Sequence, residues 1–172
     1  FSPIGNRLQI FRHDGRGERV IGRTGQAPGE FMSPGGMIRL GGDTLFLVDR
    51  ANGRLNWVRP DHGVVASRPM ESGALRPFSR PAGALHDGRV VMHSSGWVQE
   101  GVPDTIVRPP TTIALLDPRV GAIRDIAAVP DLEIAMVETR YRGRRSLDTE
   151  VVRLGLSAQV AVWDTLIATA SS

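Results

Sequence analysis

A repeat of about 47 residues limits what this chain can fold into more than any other feature of it. Arg7-Leu8-Gln9-Ile10-Phe11-Arg12-His13-Asp14 lines up with Arg54-Leu55-Asn56-Trp57-Val58-Arg59-Pro60-Asp61, and seven of the eight positions are identical or similar in type. Phe31-Met32-Ser33-Pro34 returns as Phe78-Ser79-Arg80-Pro81 at the same offset of 47. A module that recurs in this way buries its faces against its own copies, so the repeat points to stacked units rather than to one closed core.

Other stretches extend the pattern at looser spacing. Asp43-Thr44-Leu45-Phe46-Leu47-Val48 corresponds to Asp87-Gly88-Arg89-Val90-Val91-Met92, 44 or 45 residues on, and to Asp164-Thr165-Leu166-Ile167-Ala168-Thr169. Trp57-Val58-Arg59-Pro60 corresponds to Leu115-Leu116-Asp117-Pro118 at offset 58. The longer spacings imply insertions at 94–111 and 131–158.

Within the clearest copy, short apolar runs at 36–40, 44–49, 54–59 and 64–68 are separated by Gly41-Gly42-Asp43, Ala51-Asn52-Gly53 and Pro60-Asp61-His62-Gly63. Runs of this length between Gly-, Asn- and Asp-rich turns read as four antiparallel strands and leave no room for helices. One such sheet cannot bury both faces alone, and radial stacking of copies solves that. The expected fold is therefore all-β: part of a β-propeller with four-stranded antiparallel blades. A β-sandwich with chance-similar hairpins would have no reason to hold Phe, Pro and Arg-Leu in one register.

The expected blades divide the single partial domain into 1–24, the end of one blade, and 25–70, a complete one. Residues 71–130 form a blade with its insertion near 94–111, and 131–172 begin a further one after an irregular insertion. The sequence starts and stops within expected strands. It reads as about three and a half blades of a longer chain, the remaining blades belonging to that same chain outside these 172 residues.

Gly25-Gln26-Ala27-Pro28-Gly29-Glu30-Phe31-Met32-Ser33-Pro34-Gly35-Gly36 and Leu47-Val48-Asp49-Arg50-Ala51-Asn52-Gly53-Arg54-Leu55 resemble the two halves of the NHL-repeat signature. The likeness is to bacterial six-bladed propeller proteins, and it is close over residues 5–68. The resemblance implies a six-bladed ring, a binding or scaffold role without chemistry of its own, and an extracytoplasmic location. Scaffold roles are expected for Pro28, Gly29, Phe31, Pro34, Asp49, Asn52, Arg54, Phe78 and Pro81. Phe31 is placed to fill the space between blades. Asp49 is placed to accept N–H groups of the turn that follows it, or to pair with Arg54, and Asn52-Gly53 supply a tight hairpin.

Candidates for chemistry are few. His13 and His62 occupy equivalent turns, while His86 and His93 bracket a strand, and no metal-binding His spacing occurs. Six-bladed propellers include calcium-dependent hydrolases and lyases with a metal at the channel mouth. Asp43, Asp87 and Asp164, equivalent in three copies, are the residues such a calcium site would draw on; the alternative is that each is simply a turn residue. No catalytic residue and no cofactor are otherwise expected. For recognition the insertions offer Trp97 in the first, and Arg140, Tyr141, Arg142, Arg144 and Arg145 in the second. A guanidinium and an aromatic ring together can clamp carboxylates or phosphates, or stack on bases. The expected partner is a protein or a small ligand.

The charge argues against a polyanion partner, although an RNA-binding role rests on the Arg140–Arg145 cluster as a third reading. The sequence pI is about 10.8, but only because all 21 basic side chains are Arg, and the net charge at neutral pH is +3. That field is too weak to steer nucleic acid. The chain has no Cys, so disulfide and thiolate-metal frameworks are excluded. No apolar run approaches the ~20 residues of a membrane helix.

Overall fold

The computed structural model describes residues 6–70, 79–96, 105–130, 133–141, 144–151, 158–163 and 165–171. They form several antiparallel sheets and no helix, so no helix among them is long and apolar enough to cross a membrane.

A first hairpin pairs β1 (Leu8–Phe11) with β2 (Gly17–Ile21). The second sheet is a meander in chain order: β3 (Pro34–Gly41), β4 (Thr44–Asp49), β5 (Arg54–Arg59) and β6 (Gly63–Pro69). Its turns use glycines with positive φ where side chains are disfavoured, as at Gly53 (φ 58°) and Gly63 (φ 83°). The third sheet begins with β7 (Arg80–Ala84) and β8 (Val90–Ser94). The chain then leaves it to make β9 (Thr105–Val107), and returns as β10 (Thr111–Asp117) and β11 (Ala122–Val129), giving the order β11-β10-β8-β7. A three-stranded sheet of β9, β12 (Ile134–Tyr141) and β13 (Arg144–Val151) follows, and then a hairpin of β14 (Ala158–Trp163) and β15 (Leu166–Ser171).

The packing explains the apolar run Leu45–Val48 in β4 and the apolar residues Leu55, Trp57 and Val58 of β5. Side chains alternate across a strand, and here both faces are covered. Leu47 of β4 and Val58 of β5 meet Leu8, Ile21 and Phe31 on the side of the first hairpin. Phe46, Val48 and Leu55 meet Val90, Met92, Ala114 and Leu116 on the side of the third sheet. The second sheet is thus a slab between two others, its central residues fully buried. Each large side chain so enclosed contributes about 1.5–3 kcal/mol. Phe46 also meets its cross-strand partner Trp57 edge-on, with ring centroids 5.6 Å apart, a geometry favoured by the ring quadrupoles.

The first strands of successive units converge. β3 lies beside β7, and β7 beside β14. Both approaches are made at a glycine. A Cβ at Gly36 would come within 2.9 Å of Pro81 Cδ, and one at Gly83 within 2.7 Å of Val162 Cβ. The same relation is therefore used twice, each time one unit further along.

Candidate functional site

The segment that enters the second sheet is built around two carboxylates. Phe31, fully buried, packs between the first hairpin and the second sheet. Its N–H donates to Arg23 O at 2.8 Å, and its carbonyl accepts from Gly25 N at 3.1 Å. The turn at Pro28-Gly29 is closed by Glu30 N donating to Ala27 O, while the Glu30 carboxylate accepts from Ala27 N at 2.9 Å and from Arg23 Nε at 2.6 Å. The Ala27 N–H first, and Arg23 second, hold the Glu30 carboxyl below its ordinary value. Asp49, fully buried, accepts from Met32 N (3.0 Å), Ser33 N (2.8 Å) and Asn52 Nδ2 (2.9 Å). Asn52 also donates to Gly25 O at 3.0 Å.

This arrangement corrects two expectations. The Asp49 carboxylate takes backbone N–H groups from the segment that leads into β3, while the turn that follows it supplies only the Asn52 side-chain amide. Asp49 and Arg54 are cross-strand partners in the backbone register, but the carboxylate is turned back toward Met32 and Ser33 rather than to the Arg54 guanidinium. Two fixed amide donors in a buried site satisfy it without an enclosed second charge. Asn52 acts as a clasp through its side chain. Pro34 opens β3 opposite Asp49, and Pro81 is buried in β7 against Gly36. Phe78 lies outside the described residues.

Of the carboxylates proposed for calcium, Asp43 lies exposed in the β3–β4 turn, 3.9 Å from the Arg39 guanidinium. Asp87, in the β7–β8 turn, accepts from Arg89 N at 3.0 Å and from Arg89 Nε at 2.7 Å. Asp164 lies outside the described residues. Among the described residues no three His, Asp or Glu side chains gather as a metal would need. His13, His62 and His86 lie in turns, His86 in the one before β8, and His93 lies in β8.

A pattern that the turn composition concealed joins Asp87 to a second pair. Asp117 accepts from Arg119 N and Nε, at 2.9 and 3.0 Å, in the β10–β11 turn. The two turns are close enough that Arg119 acts on Asp87 and Arg89 on Asp117. The hydrogen bond from Arg89 to Asp87, and from Arg119 to Asp117, holds each carboxyl below its usual range and each guanidinium above its own. The spacing Asp-x-Arg, also present at Asp14-Gly15-Arg16, is the signal that locates these clasps: the carboxylate caps its own turn and meets the Arg two residues on.

The two insertions meet. β9, from the first, pairs antiparallel with β12, from the second: Ile134 faces Val107, Ala135 faces Ile106 and Met136 faces Thr105. β12 pairs along its whole length with β13, which sets Arg140 opposite Arg145 and Tyr141 opposite Arg144. Among the described residues β9 pairs with 134–136, and residues 137–141 of β12 pair with β13 over about 17 Å at a strand's rise. The stretch expected to be irregular is a regular hairpin, with four of the predicted recognition residues, Arg140, Tyr141, Arg144 and Arg145, at its tip. Trp97 and Arg142 lie outside the described residues. Arg108 and Glu133, an ion pair, tie the segment after β9 to the start of β12.

Elsewhere a groove of about 610 Å³ runs between β2 and β6, with Arg19, Pro28 and Gly29 on its walls. The Arg19 guanidinium donates to Asp61 O. In comparison with known proteins, no family model matches the chain, and no curated protein does.

Proposed function

We propose that this chain is part of a radial, propeller-like scaffold of the six-bladed NHL type that acts by binding, and that recognition centres on the accessory sheet of β9, β12 and β13. The observation that carries this reading is the pairing of the two insertions. Each departs from the repeat at a different place, yet together they make one sheet that the repeats do not require. Hairpins carried outside the repeat of a rigid scaffold are where recognition residues are commonly placed. The Arg and Tyr residues at the hairpin tip suit an acidic peptide segment, whose carboxylates guanidinium groups recognise. The convergence of β3, β7 and β14, and the two-sided burial of the second sheet, support the radial part of the reading.

A photo-reactive phenylalanine analogue at Tyr141, in the cells that make the protein, tests it. A discrete protein adduct is expected at 141 and absent when the analogue replaces Val65 on β6. Equal labelling at both positions, or at neither, contradicts it. Calcium that raises the melting temperature, with the effect lost in Asp43→Asn or Asp87→Asn, would favour a metal-dependent enzyme instead. Heparin binding at low salt, lost on replacing Arg144 and Arg145, would favour a polyanion partner.

A further inference from the structure

Arginines are matched differently at the two ends of the second and third sheets. Alternate turns of antiparallel strands fall at alternate ends, so β3–β4 and β5–β6 share one end of the second sheet, and β7–β8 and β10–β11 one end of the third. At these ends each guanidinium has a carboxylate beside it. Arg39 lies 3.9 Å from Asp43, Arg59 3.4 Å from Asp61, Arg89 2.6 Å from Asp87 and Arg119 3.0 Å from Asp117.

The opposite end, where β3 and β7 begin, is different. The carboxylates beside the entry to β3 are committed, Asp49 to Met32 N, Ser33 N and Asn52, and Glu30 to Ala27 N and Arg23. Arg50 follows β4 and lies across Gly35, where a Cβ would fall 2.9 Å from Arg50 Nε. Arg80, the first residue of β7, lies against Gly36, its Cβ 3.6 Å from the place of a Cβ there. Neighbouring Cα atoms are about 3.8 Å apart, so arginines of two sheets flank one dipeptide. Among the described residues neither side chain donates a hydrogen bond or meets a carboxylate. Arg50 Nε is enclosed and has no partner there, and a buried donor of this kind calls for an acceptor. Arg50 is half-buried and Arg80 exposed, so the first is held in place and the second is able to swing onto the same group. The junction is made by β3, β4 and β7, none of them a terminal strand of the sequence.

We propose that Arg50 and Arg80 together bind an oxyanion, the phosphate or carboxylate of a small ligand, beside Gly35-Gly36. The planar guanidinium fork pairs with two oxygens of such a group, and a second cation from the neighbouring sheet suits a dianion such as a phosphate at neutral pH. The bound group ties the second sheet to the third, so it stabilises the folded chain. The site is separate from the accessory sheet and independent of what that sheet binds.

Nuclear magnetic resonance of the full-length protein with isotope-labelled arginine tests this, the Nε–H signal of Arg50 being identified by its loss in Arg50→Lys. Inorganic phosphate or succinate should shift that signal saturably, and chloride at matched ionic strength should not. Whichever of the two acts at the lower concentration tells a phosphate ligand from a carboxylate one. Arg80→Gln should raise the half-saturating concentration about tenfold or more, while Arg89→Gln, at the far end of the third sheet, should leave it unchanged. Without any substitution, the urea midpoint should be higher in the effective anion than in chloride. A signal that neither anion moves, that chloride moves equally, or whose response survives Arg80→Gln overturns the proposal. So does an Arg50 signal that Glu71→Gln moves before any anion is added, because the chain's own carboxylate would then hold the pair; Glu71 lies outside the described residues.

Discussion

Replacing Asp49 by Ala removes the acceptor for three donors at once. Met32 N–H, Ser33 N–H and the Asn52 amide all lie in part-buried surroundings, at 3.0, 2.8 and 2.9 Å. Hydrogen bonds to a charged group contribute about 1.5–3 kcal/mol each, and a buried donor left unpaired costs a further penalty. Against this, the variant no longer has to desolvate a carboxylate, so the net loss expected is about 2–5 kcal/mol. With a urea m-value of about 2 kcal/mol/M, the midpoint falls by about 1–2.5 M. The assay is equilibrium urea unfolding followed by tryptophan fluorescence at fixed protomer concentration, because association would otherwise shift the midpoint. Asn52→Ala should cost about 1–2 kcal/mol. The double variant should lose less than the sum by at least about 0.5 kcal/mol, because the two groups share a bond. A midpoint shift under about 0.5 M for Asp49→Ala would refute the clasp.

Phe31→Ala should cost about 3–5 kcal/mol by leaving a cavity between the first hairpin and the second sheet, read from the same urea curves. Gly83→Ala should destabilise the packing of β14 on β7 by about 1–3 kcal/mol, since its Cβ would meet Val162 at 2.7 Å; amide exchange in β14 should quicken before that in β4. The carboxyl groups of Asp87 and Asp117 titrate lower in the folded chain than their ordinary value of 3.8. Below about pH 5 the unfolded chain therefore takes up protons first. Their contribution is complete above that ordinary value and is lost as pH falls through the lowered one. The midpoint in urea should drop between pH 6 and pH 3, and drop less in the Asp87→Asn, Asp117→Asn double variant.

How far the fold could be read from the sequence depended on whether the governing contact was local. The four strands of the clearest copy end within about two residues of their expected limits, because alternation and Gly-rich turns act over a few neighbours. Asp49 and Asn52 were recognisable as motif residues. Their hold on the preceding segment was not, because Gly25, Met32 and Ser33 lie well upstream and leave no fixed spacing beside them. The union of β9 with β12 was hidden for the same reason, and the run of Arg residues from 140 to 145 masked the alternation of the hairpin that bears them. Asp-x-Arg recurs in plain view, yet Asp in a turn has so ordinary an explanation that only the guanidinium geometry sets these positions apart.

The account depends most on the second sheet being covered on both faces by different neighbours. Methyl-to-methyl nuclear Overhauser contacts, on a chain with labelled Leu and Val, test this most directly. Leu47 and Val48 are adjacent in β4, and the account predicts contacts from Leu47 to Leu8 and from Val48 to Val90. Contacts from one of the two to a single packed layer, with the other facing only solvent, would contradict it.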